Sequence, residues 1–294
     1  MALDIGSYVG PYRLLSLLMT GQTSSVWEAL HDVRQQRYAV KVLLDETRGD
    51  RQHRNFLKHE YEVGQQLDSP RVIKMQELGT QSGDYYLVLE LYRHPNLKAV
   101  ITREPARVSL QGAKIIRQAA EGLAALHEKR WVHRDIKPDN FLVAPDGEVK
   151  LIDFALAQRE VKGLSRFFTR RAPKIQGTRS YMSPEQIRGQ PLDRRSDVYS
   201  FGCMLHEMFS GKPPFTGTDT KELFGKHLRT PAPALEVTNR DLTPEFCLLV
   251  RTMLNKKPED RPATMGDFLG EFIPMSIYKQ SARTRERTAK GEGK

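Results

Sequence analysis

Three side chains that carry oxygen ligands stand close together in the middle of the sequence. Asp135 and Asn140 share the segment W-V-H-R-D-I-K-P-D-N-F-L at 131–142, and Asp153 follows in L-I-D-F-A at 151–155. Hard Mg²⁺ prefers oxygen ligands and can be held by one or two carboxylates together with phosphate oxygens. An acid that follows an apolar strand, as Asp153 does, also needs a compensating cation or hydrogen bonds. The spacing therefore predicts that these residues come together at a Mg²⁺ site, where the ion compensates Asp153.

A further charged residue, Lys41, lies inside an apolar run, Y-A-V-K-V-L-L at 38–44. A buried ammonium group is unfavourable unless an acid pairs with it. Glu60 lies on the helix predicted to follow this strand, and it is the expected partner. A lysine that is paired with Glu60 and faces a phosphate group makes physical sense at such a position.

The elements that would position these residues change in type near Pro95. Before it, apolar runs between polar turns predict one helix at 55–67 and strands at 12–19, 26–30, 38–44, 72–78 and 85–91. After it, apolar residues recur at helical spacing in 109–128, 197–209, 220–228, 244–254 and 264–272, with short strands around Phe141 and Leu151. The sequence predicts an α+β protein with a small, mainly antiparallel β lobe, a larger helical lobe and a cleft between them.

The composition is that of a globular protein, with 39% hydrophobic and 28% charged residues among 294. No apolar stretch is long enough to cross a bilayer, and the N-terminus lacks the layout of a secretory signal. Cys203 and Cys247 lie in apolar surroundings and are expected to be buried, reduced thiols. Together these features predict a cytoplasmic protein without a membrane span.

The net charge of +10 comes from two segments. Residues 158–179 contain seven basic residues and one acid, and residues 276–294 contain six basic residues and two acids. Domains that bind nucleic acid usually carry such charge along a helix face or among stacking aromatics. Here it falls on a predicted loop and a predicted tail, so no specific nucleic-acid partner is expected.

The combined motifs resemble those of the protein kinase family. The matches are Y-A-V-K ending at Lys41, H-R-D-I-K-P-D-N at 133–140, D-F-A at 153–155 where the family has D-F-G, S-P-E at 183–185 where it has A-P-E, and D-V-Y-S-F-G at 197–202. Lys137 and the pair Gly177-Thr178 resemble the serine/threonine branch. The run G-T-R-S-Y-M-S-P-E-Q at 177–186, with the D-V-Y-S-F-G that follows, looks most like bacterial members, which are the eukaryotic-like or Hanks-type kinases.

The resemblance implies a bilobal, protein-kinase-like α+β fold. The kinase domain would cover residues 12–273, with an antiparallel N-lobe containing one helix at about 12–92 and a mainly helical C-lobe at about 96–273. Residues 1–11 would form a leader, and residues 274–294 a basic, disordered tail.

The resemblance also implies residue roles in a transfer of phosphate from ATP to protein substrates. Asp135 would orient the substrate hydroxyl and accept its proton, and Lys137 would lie near the transferred group. Lys41, fixed by Glu60, would bind the α- and β-phosphates. Asn140 and Asp153 would hold Mg²⁺, and the remaining nucleotide-binding positions would be Gly21, Val26, Leu89, Glu90 and Tyr92.

Other residues near these motifs are expected to support the structure. His133 is interpreted as a packing residue rather than an acid–base group. Glu185 and Arg261 are expected to form a structural ion pair, and Asp197 is expected to brace the backbone of the catalytic loop.

The sequence departs from the family pattern at two places. In M-T-G-Q-T-S-S-V at 19–26, Met19 and Ser24 replace two of three glycines, and only Gly21 remains. Nearby hydroxyls are candidates to contact phosphate in compensation; they belong to Thr20, Thr23, Ser24 and Ser25. Ala155 replaces the glycine of D-F-G without changing a ligand. Two functions therefore stay open: an active serine/threonine kinase, and a pseudokinase-type scaffold with weak or no catalysis.

The basic loop between Asp153 and Ser183 contains two candidate phosphorylation sites, Ser165 and Thr169. A phosphate on Thr169 would attract nearby arginines, including Arg134 of the catalytic loop. The sequence therefore predicts autophosphorylation in trans within this loop, principally at Thr169.

Overall fold

The computed structural model describes residues 3–81, 84–160 and 177–280. They form two compact units. The first contains the described residues up to His94 together with Ile152–Leu156, and the second contains Pro95–Leu151 and the described residues from Ala157 onward. Asp153 therefore belongs with the first unit, although the sequence placed it in the second lobe.

The first unit is a six-stranded antiparallel sheet with strand order β1-β2-β3-β4-β6-β5. Its elements are β1 (Tyr8–Val9), β2 (Tyr12–Thr20), β3 (Ser24–His31), β4 (Gln36–Leu43), α1 (Asp45–Arg48), α2 (Arg51–Gly64), β5 (Met75–Gln81) and β6 (Asp84–Glu90). The five predicted strands are present. The fold differs from the prediction by the two-residue strand β1 and the single-turn helix α1.

One face of this sheet is packed because apolar residues alternate along the strands. Its buried cluster includes Val9, Tyr12, Leu14, Trp27, Ala29, Tyr38, Val40, Val42, Tyr86 and Val88. Since Val9 lies in this cluster, part of the predicted leader belongs to the folded unit. Helix α2 begins where the Asp50 side chain accepts a hydrogen bond from the Gln52 amide, and it buries Leu57, Glu60 and Val63 on one face.

The second unit is mainly helical. Its helices are α3 (Leu97–Arg103), α4 (Pro105–Glu128), α5 (Pro184–Ile187), α6 (Arg195–Ser210), α7 (Thr220–Arg229), α8 (Leu235–Thr238), α9 (Pro244–Met253) and α10 (Met265–Phe272). Short strands form two antiparallel pairs: β7 (Trp131–Val132) with β10 (Gln158–Arg159), and β8 (Phe141–Val143) with β9 (Val149–Leu151). Single 3₁₀ turns occupy Pro138–Asn140, Arg179–Tyr181 and Pro258–Asp260.

Helix α6 lies at the centre of this unit, and every residue from Ser196 to Phe209 is buried. It ends at Gly211, which adopts a left-handed conformation at φ +78° and donates its N–H to the Glu207 carbonyl. Cys203 on α6 and Cys247 on α9 are both buried and free, as predicted.

The packed region extends beyond the predicted domain end at residue 273. Ile277 is buried, and its carbonyl accepts a hydrogen bond of 2.9 Å from the Thr243 amide. The Lys279 amide donates to the Asp241 carbonyl at 2.9 Å. A basic, disordered tail was predicted for residues 274–294, whereas Ile277 and Lys279 make these contacts within the second unit; residues 281–294 lie outside the described residues. No helix within the described ranges is long and apolar enough to cross a membrane.

Candidate active site

Strand β4 and helix α2 bring Lys41 and Glu60 together, as the sequence predicted. The Lys41 Nζ lies 2.7 Å from the Glu60 Oε2, and both side chains are largely buried. Burial lowers the pKa of Lys41, but the carboxylates of Asp153 and Glu60 more than offset this, so its pKa is raised. Lys41 therefore remains a fixed positive charge at neutral pH.

The second partner of Lys41 is Asp153, whose Oδ1 lies 3.7 Å from the Lys41 Nζ. The Asp153 carboxylate also accepts a 3.3 Å hydrogen bond from the Ala155 amide, and its side chain is 38% exposed. The backbone at Asp153 has φ +67°, which is unusual for a residue with a side chain. The resident cation that compensates Asp153 is therefore Lys41, a contact that the sequence analysis did not identify.

The backbone at Ala155 explains why an alanine is tolerated here. Among the described residues, the non-glycine positions with positive φ are Gln35, Arg130, Arg134 and Asp153, so Ala155 does not need the freedom of glycine.

We expect Ala155→Gly to change the phosphorylation rate by less than about tenfold. No ligand or charge is altered, and the backbone effect is about 1 kcal/mol. Initial rates of the two proteins, measured at equal concentration, test this expectation. An inert wild-type protein that this substitution activates would show instead that Ala155 is an inactivating change.

The turn between β2 and β3 is closed by a 2.8 Å hydrogen bond from the Gly21 amide to the Ser24 carbonyl. The Ser25 hydroxyl is buried and accepts a hydrogen bond from the Trp27 indole N–H at 2.9 Å. Ser25 is therefore committed to the fold and is a poor candidate for a phosphate contact. Thr20 is exposed, and Thr23 and Ser24 are half-buried, so these three remain candidates.

The other predicted nucleotide-binding positions of the first unit lie on or after its strands. Val26 is half-buried on β3, and Leu89 is buried on β6. The Glu90 Oε1 accepts a hydrogen bond from the Lys74 amide at 2.7 Å. The Tyr92 carbonyl accepts one from the His94 amide at 2.9 Å.

In the second unit, Asp135 lies at the centre of a group of polar side chains. Its Oδ2 is 2.6 Å from the Lys137 Nζ. The Asn140 amide nitrogen donates to the Asp135 carbonyl at 2.8 Å. The 3₁₀ turn Pro138–Asn140 holds Asn140 in this position. The structure therefore brings together three of the predicted residues of the catalytic loop.

Asp197 braces the backbone of the loop that carries Asp135, as predicted. The Asp197 carboxylate is fully buried and accepts hydrogen bonds from the His133 amide at 2.7 Å and the Arg134 amide at 2.9 Å. It also lies 2.9 Å from the His127 Nε2. His133 itself is buried, in agreement with its interpretation as a packing residue.

Thr178 belongs to this group, and the sequence analysis did not assign it a role. Its amide donates to the Asp135 Oδ1 at 2.7 Å, and its hydroxyl accepts from the Lys137 Nζ at 2.9 Å. Gly177 allows this approach: its φ is +108°, and a Cβ there would lie 2.9 Å from the Arg134 carbonyl. In the sequence, the pair Gly177-Thr178 indicated a resemblance to the serine/threonine branch. It did not indicate a contact with Asp135.

The segment after Thr178 is anchored by the predicted ion pair between Glu185 and Arg261. Two hydrogen bonds of 2.7 and 3.0 Å join the guanidinium to the carboxylate, and both residues are buried. The Gln186 side chain on the same helix donates to the Arg134 carbonyl at 2.8 Å. These contacts fix the S-P-E segment to the loop that carries Asp135.

The donor chemistry of Asn140 and Asp153 fits Mg²⁺. Because the amide nitrogen of Asn140 is bonded to Asp135, its oxygen is oriented away from that bond. Asp153 offers a partly exposed carboxylate. Within the described ranges, no three His, Cys, Asp or Glu side chains cluster to hold a metal by themselves. Amide and carboxylate oxygens are each donors that Mg²⁺ accepts; Asn140 offers one in the second unit and Asp153 one in the first.

Comparison with known proteins agrees with these motifs. Residues 12–270 match the protein kinase domain family. The chain is 32% identical over 264 residues to serine/threonine-protein kinase PknH of Mycobacterium bovis. The aligned region covers 90% of this chain and 44% of PknH. The chain is also 34% identical over 288 residues to serine/threonine-protein kinase PknA of Mycobacterium tuberculosis. This aligned region covers 96% of the chain and 65% of PknA. The chain thus spans less than half the length of PknH.

Proposed function

This chain belongs to the protein kinase family, among the bacterial serine/threonine kinases of the Hanks type, and on that premise we propose that it transfers the γ-phosphoryl group of ATP to serine and threonine hydroxyls of proteins. The observation that carries the proposal is the contact set of Asp135. One oxygen of this carboxylate accepts from the Lys137 ammonium and the other from the Thr178 amide, so its orientation is fixed.

Asp135 acts as the base that orients the substrate hydroxyl and accepts its proton. Lys137 neutralises negative charge near the transferred phosphoryl group, and its bond to the Thr178 hydroxyl keeps the ammonium in place. Because Thr178 contacts both residues, it is a positioning residue for the reaction.

In the first unit, Lys41 binds the α- and β-phosphates, and Glu60 fixes its ammonium group. Leu89, Glu90 and Tyr92 contact the adenine, while Gly21 and Val26 contribute to covering the nucleotide. Asn140 and Asp153 hold Mg²⁺, which would neutralise charge on the phosphates when bound.

The alternative of a pseudokinase-type scaffold is not supported. Lys41, Glu60, Asp135, Asn140 and Asp153 are all present, and the Lys41–Glu60 pair is formed. The relatives named above are serine/threonine-protein kinases.

The partners of the activity are protein substrates, including further copies of this chain. We place the activity in the cytoplasm, where ATP is present and thiols such as those of Cys203 and Cys247 stay reduced. Phosphoamino-acid analysis of a phosphorylated protein substrate tests whether the chain modifies serine and threonine. We expect phosphoserine and phosphothreonine. Phosphotyrosine alone would contradict the proposed specificity.

Autophosphorylation is proposed for the basic segment, although Ser165 and Thr169 lie outside the described residues. Support comes from Arg134, which is half-buried and precedes Asp135 on the catalytic loop. Burial lowers the pKa of Arg134, and the negative charge of Asp197 offsets part of this shift. Within the described ranges its Nε has no hydrogen-bond partner. A phosphate on Thr169 would supply acceptors to this guanidinium and link the segment to Asp135.

We expect Thr169→Ala to lower the activity of Mg-ATP-treated protein by about tenfold, roughly the value of one charge-assisted hydrogen bond. Mass spectrometry should find phosphate at Thr169 in the wild-type protein. Ser165→Ala is the matched control and should retain most of the activity. Full activity of protein that carries no phosphate in this segment would contradict the proposal.

A further inference from the structure

Arg179 lies next to the candidate active site of the second unit and has no role in the proposed reaction. It follows Thr178, whose amide donates to the Asp135 Oδ1 at 2.7 Å. Since neighbouring Cα atoms are only about 3.8 Å apart, Arg179 lies beside the place where a substrate hydroxyl meets Asp135. Arg179 is also exposed. A substrate that reaches Asp135 can therefore contact this arginine.

The backbone of Arg179 is held in place by its neighbours. The 3₁₀ turn that it begins is closed by a 3.0 Å hydrogen bond from the Tyr181 amide to the Thr178 carbonyl. The Tyr181 carbonyl accepts from the Ser200 hydroxyl at 2.7 Å, and the Tyr181 hydroxyl donates to the buried Glu207 carboxylate. Because these contacts fix the turn, little backbone freedom is lost when a ligand binds to Arg179.

The Arg179 guanidinium is oriented by a hydroxyl rather than by an acid. Its Nη1 donates to the Thr220 hydroxyl, at the start of α7, at 3.0 Å. In the described part of the chain it forms no ion pair with a carboxylate. The acids at this end of α7 have other partners: Asp219 accepts from the Glu222 amide, and Glu222 is paired with Lys226. A guanidinium has more N–H donors than the contact with Thr220 uses, so donors remain for the carboxylate of a ligand.

We propose that Arg179 is a specificity-determining residue that binds an aspartate or glutamate side chain adjacent to the serine or threonine that is phosphorylated. This inference rests on the proposed function and narrows the substrates of the same site. Lys137, the other cation at this place, is bound to the Asp135 carboxylate and the Thr178 hydroxyl. A guanidinium can bind a carboxylate through two parallel hydrogen bonds, which gives orientation as well as affinity. A basic residue at the same position of the substrate would be repelled.

The proposed preference concerns protein substrates rather than the autophosphorylation sites. Ser165 and Thr169 are each followed by an arginine, and neither is flanked by an acid. Their modification would therefore depend on the high local concentration of two associated chains instead of a contact with Arg179.

The test uses the full chain and serine peptides that differ at one position. The residue directly before or directly after the serine is aspartate, and the matched neutral peptide has asparagine there. The measurement is kcat/KM with Mg-ATP at low ionic strength. We expect aspartate at one of the two positions to raise kcat/KM about fivefold over asparagine, the size expected for one partly exposed ion pair. The preference should weaken at high salt, because salt screens exposed charges.

Three variants, with folding verified by thermal melts, test whether the preference comes from Arg179. Arg179→Gln removes the charge and should bring the ratio of the two kcat/KM values to about one, whereas Arg179→Lys should keep part of the preference. Lys221→Gln is the matched control, because it removes an exposed cation next to Thr220 and should leave the ratio unchanged. A ratio of about one in the wild-type chain at both positions, or a preference that survives in Arg179→Gln, would overturn the proposal.

Peptide binding without ATP separates this inference from the proposed function. Fluorescence anisotropy of the same labelled peptides should give a lower Kd for the aspartate peptide than for the asparagine peptide, and the difference should disappear in Arg179→Gln. A chain that shows this difference but phosphorylates no peptide would contradict the proposed phosphoryl transfer and still support the role of Arg179. Equal Kd values for the two peptides in the wild-type chain, at both positions, would overturn that role.

Discussion

Asp135→Asn is expected to lower kcat by about a thousandfold while the protein remains folded. Asparagine has nearly the same size and can still accept the Thr178 amide, but it cannot take a proton from the substrate hydroxyl. A positioned general base contributes a factor of roughly 10²–10⁴ to the rate. The substitution also removes the negative charge that pairs with Lys137, which adds to the effect.

The measurement is the initial rate of phosphate transfer at saturating ATP, with a thermal melt to verify folding. Asp139→Asn is the matched control, because it makes the same chemical change on the same loop at a residue with no assigned role. It should remain within about threefold of the wild type. If Asp135→Asn kept more than about a tenth of the wild-type kcat, Asp135 would not be the base.

Asp153→Asn is the second change with a large expected effect, a loss of more than about a hundredfold in activity. It removes a negative charge from the proposed Mg²⁺ ligands and from the 3.7 Å contact with Lys41. We also expect the Mg²⁺ concentration needed for half-maximal rate to rise, which is measured by titrating Mg²⁺ at constant ATP.

Asp146→Asn serves as the control for this experiment. Asp146 lies between β8 and β9, and its side chain is 62% exposed and paired with Lys114. Its substitution should leave both the rate and the Mg²⁺ dependence nearly unchanged. Wild-type turnover and an unchanged Mg²⁺ requirement in Asp153→Asn would contradict the assignment of Asp153 as a metal ligand.

The long elements and the buried pair of Lys41 and Glu60 could be predicted from the sequence. Lys41 lies in an apolar strand, and Glu60 lies on the buried face of the helix predicted to follow it. Because an unpaired buried charge is unfavourable, the two side chains are expected to pair. Helix α6 was visible because its apolar residues recur at helical spacing and Gly211 ends it. Asp197 and Arg261 followed from the resemblance to known motifs.

Short elements and contacts across long loops could not be predicted in this way. Strands β7 and β10 have two residues each, too few to show alternation, and their pairing is determined by tertiary packing. The contact of Thr178 with Asp135 spans 43 positions and depends on the conformation of Gly177. Ile277 was missed because the short run M-S-I-Y at 275–278 is too short to show a period, and its burial depends on tertiary packing.

The proposal that this chain transfers the γ-phosphoryl group of ATP to proteins, with Asp135 as the base, is tested most directly with ATP labelled on its γ-phosphate. The wild-type chain is incubated with this ATP, Mg²⁺ and casein as a generic protein substrate, beside Asp135→Asn and a parallel sample labelled on the α-phosphate. We expect protein-bound label to accumulate with time only from γ-labelled ATP and only with the wild-type chain. Wild-type protein that binds ATP under these conditions but transfers no label, either to casein or to itself, would contradict the proposed function.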